Sequence, residues 1–195
     1  MAGVQLVKVT KNFGSVVAVD DFSLDIADKE LVAKLLKVYQ PRAIVNFAAE
    51  SHVDRSIVGS EDFILTNCFG TNVIMDAARQ LEVSRVVHIG TDEVYGSVEV
   101  GSSKETDPLE PRSPYSASKA GSDLIALSYH ATHGVPVVVT RCTNNFGPFQ
   151  YPEKAIPLFT TNLLDGKKIP LYGDGLNERD WLYVDDHCTG VHLVL

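Results

Sequence analysis

The chain has 195 residues and a formal net charge of −8, from 17 basic and 25 acidic side chains, without a basic stripe, which disfavours nucleic acid or an anionic membrane as a partner. Its 45% hydrophobic and 22% charged residues are the composition of a globular, water-soluble chain with a sizeable core. No run approaches the ~18 apolar residues of a membrane span, the amino terminus lacks the order of a secretion signal, and Cys68, Cys142 and Cys188 form no C-x-x-C pair, so reduced thiols in the cytoplasm are expected.

Val4 to Ile26 alternates apolar and polar residues around Asn12-Phe13-Gly14-Ser15, which predicts a small antiparallel hairpin or meander and no helix. The stretch from Val4 to Gly14, followed by Val17 to Ile26, resembles the opening strands of ABC-transporter ATPases. That resemblance implies that Phe13 stacks on adenine. The phosphate loop of such ATPases, G-x-x-x-x-G-K-[ST], does not follow, so no route to ATP hydrolysis is expected. A dinucleotide fold should open with a strand, a G-x-G-x-x-G turn and a helix; that glycine turn occurs nowhere in the sequence.

Asp28 to Tyr39 reads as an amphipathic helix (Leu31, Leu35, Val38) stopped by Pro41. Ala43 to Ala49 reads as a buried strand of parallel type. Phe63 to Leu81 is helical in pattern, and Arg85 to Gly90 is a second buried strand. Thr91-Asp92-Glu93-Val94-Tyr95-Gly96 follows as a loop. It places two adjacent carboxylates at the carboxyl edge of an open sheet, where ligands bind. Two carboxyls in different environments suit paired acid and base work. The polar loop from Ser97 to Arg112 is expected to form a lid or wall near that edge.

Ser113 to His133 reads as a helix carrying Tyr115 and Lys119, which share one face at i and i+4. An ammonium beside a phenol favours the phenolate, so Tyr115 can take a proton from a hydroxyl while hydride leaves the same carbon. Val135 to Arg141 is a further strand. Asn144 to Pro148 is a turn cluster, Ala155 to Leu164 a helix, Ile169 to Gly173 a short extended piece, and Asp185-Asp186 a helix start. His187, Cys188 and His192 lack zinc-like spacing and are read as packing, with no metal expected.

Asn46 to Ser56, Thr91 to Gly96, Tyr115-Ser-Ala-Ser-Lys119, Arg141 to Pro148 and Glu178-Arg-Asp-Trp181 stand in the order and spacing of the sugar-nucleotide 4,6-dehydratases. The sequence from about residue 25 onward resembles that branch of the extended short-chain dehydrogenase family. Its epimerase relatives usually lack the Asp-Glu pair. The resemblance implies an α/β fold with an incomplete Rossmann-like, doubly wound parallel sheet that lacks the first glycine-loop unit. It also implies two domains: 1–24, ATPase-like, and 25–195, a partial NAD-binding and catalytic domain with its substrate domain truncated.

The chemistry comes from the same resemblance. Tyr115, assisted by Lys119, would help oxidise the sugar at C4, with hydride passing to NAD. Glu93 would remove the C5 proton, Asp92 would protonate the departing C6 hydroxyl, and Thr91 would hydrogen-bond the C4 oxygen. NAD contacts would come from Asp25, Ile26, Phe47, Ala48, Ala49, Glu50, Ser51, Thr66 and Asn145. Contacts with dTDP-glucose or a similar nucleotide sugar would come from Ser51, Asn144, Lys154, Ala155, Pro170, Leu171, Tyr172 and Arg179. The helices at 63–81 and 113–133 would pair two copies as a homodimer. Without the glycine loop the main pyrophosphate cradle is missing, which weakens NAD binding. The competing readings are a non-catalytic fragment or transporter-associated module, and another nucleotide-sugar epimerase or dehydratase.

Overall fold

A computed structural model describes residues 5–13 and 16–195, with side chains from Leu24 onward. Strands β1 (Gln5–Phe13) and β2 (Val16–Asp25) pair antiparallel, from Gln5 opposite Asp25 to Phe13 opposite Val16. Gly14 and Ser15 of the expected turn, and the side chain of Phe13, lie outside the described residues. The chain divides into two compact units, Met1–Arg141 with Leu195, and Cys142–Val194. The division expected after residue 24 falls at the end of β2, inside the first unit.

Helix α1 (Lys29–Tyr39) starts where Asp28 accepts the Leu31 N–H at 2.9 Å, and it ends at Gln40 in a left-handed conformation, one residue before Pro41. Strand β3 is Ala43–Asn46, shorter than the apolar run that extends to Ala49. Asn46 stops it by accepting the Ala48 N–H at 3.2 Å, which turns the backbone out of the ladder. Helix α2 (Val53–Val58) has no counterpart in the sequence reading; His52 caps it weakly at 3.4 Å.

The expected helix from Phe63 begins at Glu61 and is not uniform. Helix α3 (Glu61–Phe63) runs into a π-helical stretch, Ile64–Gly70, and then α4 (Thr71–Gln80). The wider turn brings Gly70 so close to Ile26 that a Cβ would collide with the Ile26 side chain. Strand β4 (Arg85–Thr91) is buried along most of its length and passes into a 3₁₀ turn, Asp92–Tyr95, where the sequence suggested an irregular loop. Helix α5 (Pro114–His133) starts with a reciprocal Ser113–Ser116 capping box and ends at Gly134. Strand β5 is Val137–Cys142.

These strands form a sheet in the order β3-β4-β5, with β3 and β4 parallel and Asn46 opposite His88. Its core joins Met75 and Ala78 of α4, Val86 of β4, Ala126 of α5, and Val83 and Val135. Val73 and Ala77 on another part of α4 pack with Val32 of α1. The first unit is thus an α/β layer structure with a parallel strand pair.

In the second unit Asn144–Phe146 is a strand, β6, where the sequence suggested a turn cluster. It pairs parallel with β7 (Trp181–Tyr183), and Phe146 packs edge-on against Trp181 and Tyr183. Helix α6 is Ala155–Leu164 and α7 is Val184–Val194. Ile169–Gly173 forms no ladder. Among the described residues, no helix is long and apolar enough to cross a membrane.

Gly96 closes the 3₁₀ turn with φ 81° and ψ −153°, a region that only glycine visits readily. A Cβ there would also strike the carbonyl oxygen of Glu110. Gly96→Ala is expected to cost about 2–3 kcal/mol of folding stability, measured by urea unfolding. A loss under about 0.5 kcal/mol would show that the turn relaxes freely.

Candidate active site

Helix α5 buries a polar face. Tyr115, Ser116, Ser118, Lys119, Ser122 and Asp123 are all buried, and burial of such groups is tolerated only when each is hydrogen-bonded. The helix start fixes the first of them. Pro114 occupies the first turn, and the Tyr115 N–H in that turn donates to Ser56 Oγ at 3.1 Å. The Tyr115 ring stands edge-on to Phe63 at 6.4 Å between centroids. One turn on, the Lys119 ammonium donates to the Ile89 carbonyl at 2.6 Å. That bond places a buried cation two residues before Thr91, on the strand that delivers the carboxylates.

Thr91 organises the turn beyond β4. Its hydroxyl accepts the Glu93 N–H and donates to Asp92 Oδ1, both at 3.3 Å, while the Gly96 N–H donates to the Glu93 carbonyl at 3.2 Å. Asp92 and Glu93 are both half-buried, within reach of solvent. The Glu110 N–H donates to the Val94 carbonyl at 2.9 Å, so the 97–112 loop is tied back to this turn at its far end. Tyr115, Lys119, Thr91, Asp92 and Glu93 therefore belong to one edge of one sheet and the helix packed on it.

Because β3 and β4 are parallel, Phe47–Ser51 leaves the sheet at that same carboxyl edge. The segment has no regular structure, and Asn67 of the π-helical stretch clamps it. Asn67 Oδ1 accepts the Glu50 N–H at 2.9 Å, and its Nδ2 donates to the Glu50 carbonyl at 3.0 Å and to Ser118 Oγ at 2.8 Å. Phe47 stays largely exposed. Thr66, next to Asn67, is fully buried, and its hydroxyl meets no hydrogen-bond partner. Asp25 accepts the Ala27 N–H at 2.9 Å, and Ile26 is buried beside the π-helical stretch.

A directed line of hydrogen bonds runs beneath this edge. Asn46 Oδ1 accepts the Ala48 N–H, so its Nδ2 faces His88 Nδ1 at 3.2 Å as the donor. His88 Nδ1 is then the acceptor, and Nε2 carries the proton toward Ser122 Oγ at 3.1 Å. The Ser122 hydroxyl donates to the Lys119 carbonyl at 2.8 Å. Burial, and then repulsion from Lys119, push the His88 imidazole down from 6.5 to about 3. It is neutral at every ordinary working pH.

In the second unit, Asn144 and Asn145 lie on β6. Asn144 Nδ2 donates to the Asp180 carbonyl at 3.4 Å. Asn145 Nδ2 faces Cys142 Sγ and the Thr143 carbonyl, and its buried Oδ1 has no hydrogen-bond partner. Lys154 and Ala155 sit at the start of α6. Pro170, Leu171 and Tyr172 belong to an irregular segment, and the Arg179 guanidinium folds onto the Glu178 carbonyl at 2.7 Å.

Asn67, His88, Ser118 and Ser122 received no role from sequence alone. The one available signal was a helix rich in serine beside Tyr115 and Lys119, together with a histidine inside an otherwise apolar strand. Among the described residues, no cluster of three metal-ligating side chains forms.

The model of the GDP-mannose 4,6 dehydratase family matches residues 8–195. A dTDP-glucose 4,6-dehydratase of Streptomyces antibioticus is 62% identical over 170 residues, covering 87% of this chain and 50% of the relative. A low-salt glycan biosynthesis protein of Haloferax volcanii is 53% identical over 171 residues, covering 88% of this chain and 54% of that protein. Among solved structures, the dTDP-glucose 4,6-dehydratase DesIV of Streptomyces venezuelae with NAD and TYD bound superposes with a TM-score of 0.84 at 58% identity, covering 88% of this chain and 52% of that one. A UDP-glucose 4-epimerase of Thermus thermophilus in complex with NAD gives the same TM-score at 31% identity, covering 88% and 58%. The chain spans about half the length of the curated relatives it matches.

The depressed His88 makes a pH prediction. The folded chain holds the ring neutral, while the unfolded chain protonates it below about 6.5. Stability contributed by the neutral ring is therefore full above 6.5 and is lost as pH falls toward 3, by about 1.4 kcal/mol per pH unit. His88→Gln removes this titration, so the stability gap between parent and variant should narrow at that slope between pH 6.5 and 4.5 in urea unfolding. A gap independent of pH would mean that His88 is protonated in the fold.

Proposed function

Because the chain belongs to the GDP-mannose 4,6 dehydratase family, we propose that it carries the working residues for NAD-dependent dehydration of dTDP-glucose to dTDP-4-keto-6-deoxyglucose. The observation that carries this reading is the buried Lys119 ammonium on the Ile89 carbonyl, one helical turn from Tyr115 and two residues before Thr91-Asp92-Glu93. A phenol, a fixed cation and a carboxyl pair then share one sheet edge. Oxidation next to an elimination needs that set.

Tyr115 takes the C4 hydroxyl proton, with the Lys119 charge favouring its phenolate. Thr91 hydrogen-bonds the C4 oxygen. The resulting ketone acidifies the C5 proton, and Glu93 removes it and returns it to C5 once hydride has added at C6. Asp92 protonates the C6 hydroxyl, which departs as water. Acid and base thus act on neighbouring carbons from adjacent positions of one turn. NAD, when bound, supplies the hydride acceptor for C4 and the donor for C6.

The sheet-edge residues fit such a dinucleotide, while its pyrophosphate lacks the glycine-loop cradle. Phe47–Ser51 lies at the carboxyl edge with an exposed aromatic, and the buried Thr66 hydroxyl and Asn145 Oδ1 have hydrogen-bonding capacity to offer. We assign Asp25, Ile26, Phe47, Ala48, Ala49, Glu50, Ser51, Thr66 and Asn145 to the cofactor. Ser51, Asn144, Lys154, Ala155, Pro170, Leu171, Tyr172 and Arg179 are assigned to the nucleotide sugar. The guanidinium fork of Arg179 suits a pyrophosphate.

A homodimer through the α3–α4 and α5 faces is part of the same reading. A groove of about 630 Å³ between them is lined by Ile64, Leu65, Cys68, Phe69 and Ile125. Apolar area of this kind favours association with a second copy. Cys68, Cys142 and Cys188 stand outside any disulfide, which supports a cytoplasmic setting. Leu65→Asp should convert a dimer into a monomer in sedimentation; a parent chain that is already monomeric would remove the dimer from the reading.

The dehydratase itself is tested by titrating NAD calorimetrically into the purified chain and then assaying 4-keto product from dTDP-glucose. Micromolar NAD binding is expected, with Tyr115→Phe lowering turnover by roughly 10²-fold or more. A folded sample that takes up no NAD would sink the proposal.

A further inference from the structure

Arg141, at the end of β5, touches three things at once. Its Nε donates to Asp123 Oδ2 at 2.7 Å, and its NH1 donates to the Tyr95 hydroxyl at 2.6 Å. Its guanidinium carbon lies 5.1 Å from the centre of the Tyr95 ring. Asp123 is fully buried on α5, one turn beyond Lys119. Tyr95 is the last residue of the 3₁₀ turn that begins with Asp92 and Glu93. The contacts therefore run from the helix bearing Tyr115 and Lys119, through a side chain of β5, to the turn bearing the carboxyl pair.

Two details mark this linkage as more than an ordinary ion pair. Gly90 lies against it: a Cβ there would come within 2.9 Å of Asp123 Oδ1 and 2.8 Å of the Thr140 carbonyl. The backbone of β4 thus approaches the pair at the residue before Thr91, and only a glycine allows that approach. The other Asp123 oxygen, Oδ1, makes no hydrogen bond and stands 3.6 Å from His88 Nε2. A carboxylate hydrogen-bonded on one side alone is held there by the Arg141 Nε–H, while another N–H of the same planar guanidinium is committed to Tyr95, so one rigid group fixes both directions.

We propose that Asp123, Arg141 and Tyr95 are positioning residues that lock the Asp92–Glu93 turn to the helix carrying Tyr115 and Lys119. The proposal rests on the dehydratase reading for its purpose, and on this geometry for its existence. A three-residue clamp sets the distance between the oxidising phenol and the eliminating carboxyls, which the backbone alone leaves to a short 3₁₀ turn. Small misplacements at such a site are costly to rate, because proton transfer requires hydrogen-bond reach.

Tyr95→Phe removes one hydroxyl and keeps the ring. Amide hydrogen exchange on this chain is expected to accelerate at least tenfold at Glu93, Gly96 and Glu110, while Met75 and Val87 in the core keep the parent's protection. Where turnover of dTDP-glucose is measurable, kcat should fall with KM unchanged. Asp123→Asn should reproduce the same local pattern through loss of the Arg141 anchor. Unchanged exchange at the turn in Tyr95→Phe overturns the clamp, and so does equal acceleration at turn and core, which marks a general stabiliser. A parent chain that folds but does not dehydrate dTDP-glucose removes the dehydratase reading and leaves the exchange result to decide the clamp.

Discussion

The bond from the Lys119 ammonium to the Ile89 carbonyl sits at the centre of a helix face that is buried and largely polar. Beside Ala120 and Ala126, the inward side chains of α5 are hydroxyls, a phenol, an ammonium and a carboxylate. Burying them is affordable only if neighbouring elements supply partners in the right places. The remainder of the first unit is arranged around that demand. Serines 118 and 122 return their hydroxyls to the helix carbonyls of Tyr115 and Lys119, and then accept from Asn67 and His88. Arg141 reaches in from β5 to meet Asp123.

This way of satisfying a polar interior also orders the site. Each partner that relieves a buried group on α5 comes from a segment with a functional neighbour. Asn67 holds Glu50 and with it the Phe47–Ser51 segment; His88 connects Asn46 to Ser122; Arg141 reaches Tyr95. Removing a partner leaves a buried polar atom unpaired, which costs more than an ordinary hydrogen bond contributes. The π-helical stretch belongs to the same logic. Its wider turn presents Thr66 and Asn67 inward together, with Gly70 allowing Ile26 to pack closely.

Element types were legible from local pattern, because periodicity and caps act within a few residues. Helix α1 with its Asp28 cap, strand β4, and α5 between Ser113 and Gly134 stand close to where the sequence put them. The misses have two causes. The β3 run continues apolar to Ala49, but Asn46 makes a side-chain bond to the backbone that ends the strand. Strand β6 has a turn-like composition and becomes a strand because β7, more than thirty residues later, pairs with it. In the first case a local side-chain bond overrides the apolar run, and in the second propensity yields to a distant partner.

By itself the sequence determined which side chains of the proposed site stand together. Tyr115 and Lys119 must share a face because a helix repeats every 3.6 residues, and Asp92-Glu93 must follow a strand because the run before it is β-branched and apolar. Those are local consequences of covalent spacing. Tertiary structure decided which of the other polar residues are buried and which partner each one finds. That His88 is neutral, that Asn67 holds Glu50 from 17 residues away, and that Arg141 joins Asp123 to Tyr95 all depend on groups brought together only by folding. Burial and the identity of a hydrogen-bond partner are properties of space, and spacing along the chain does not encode them.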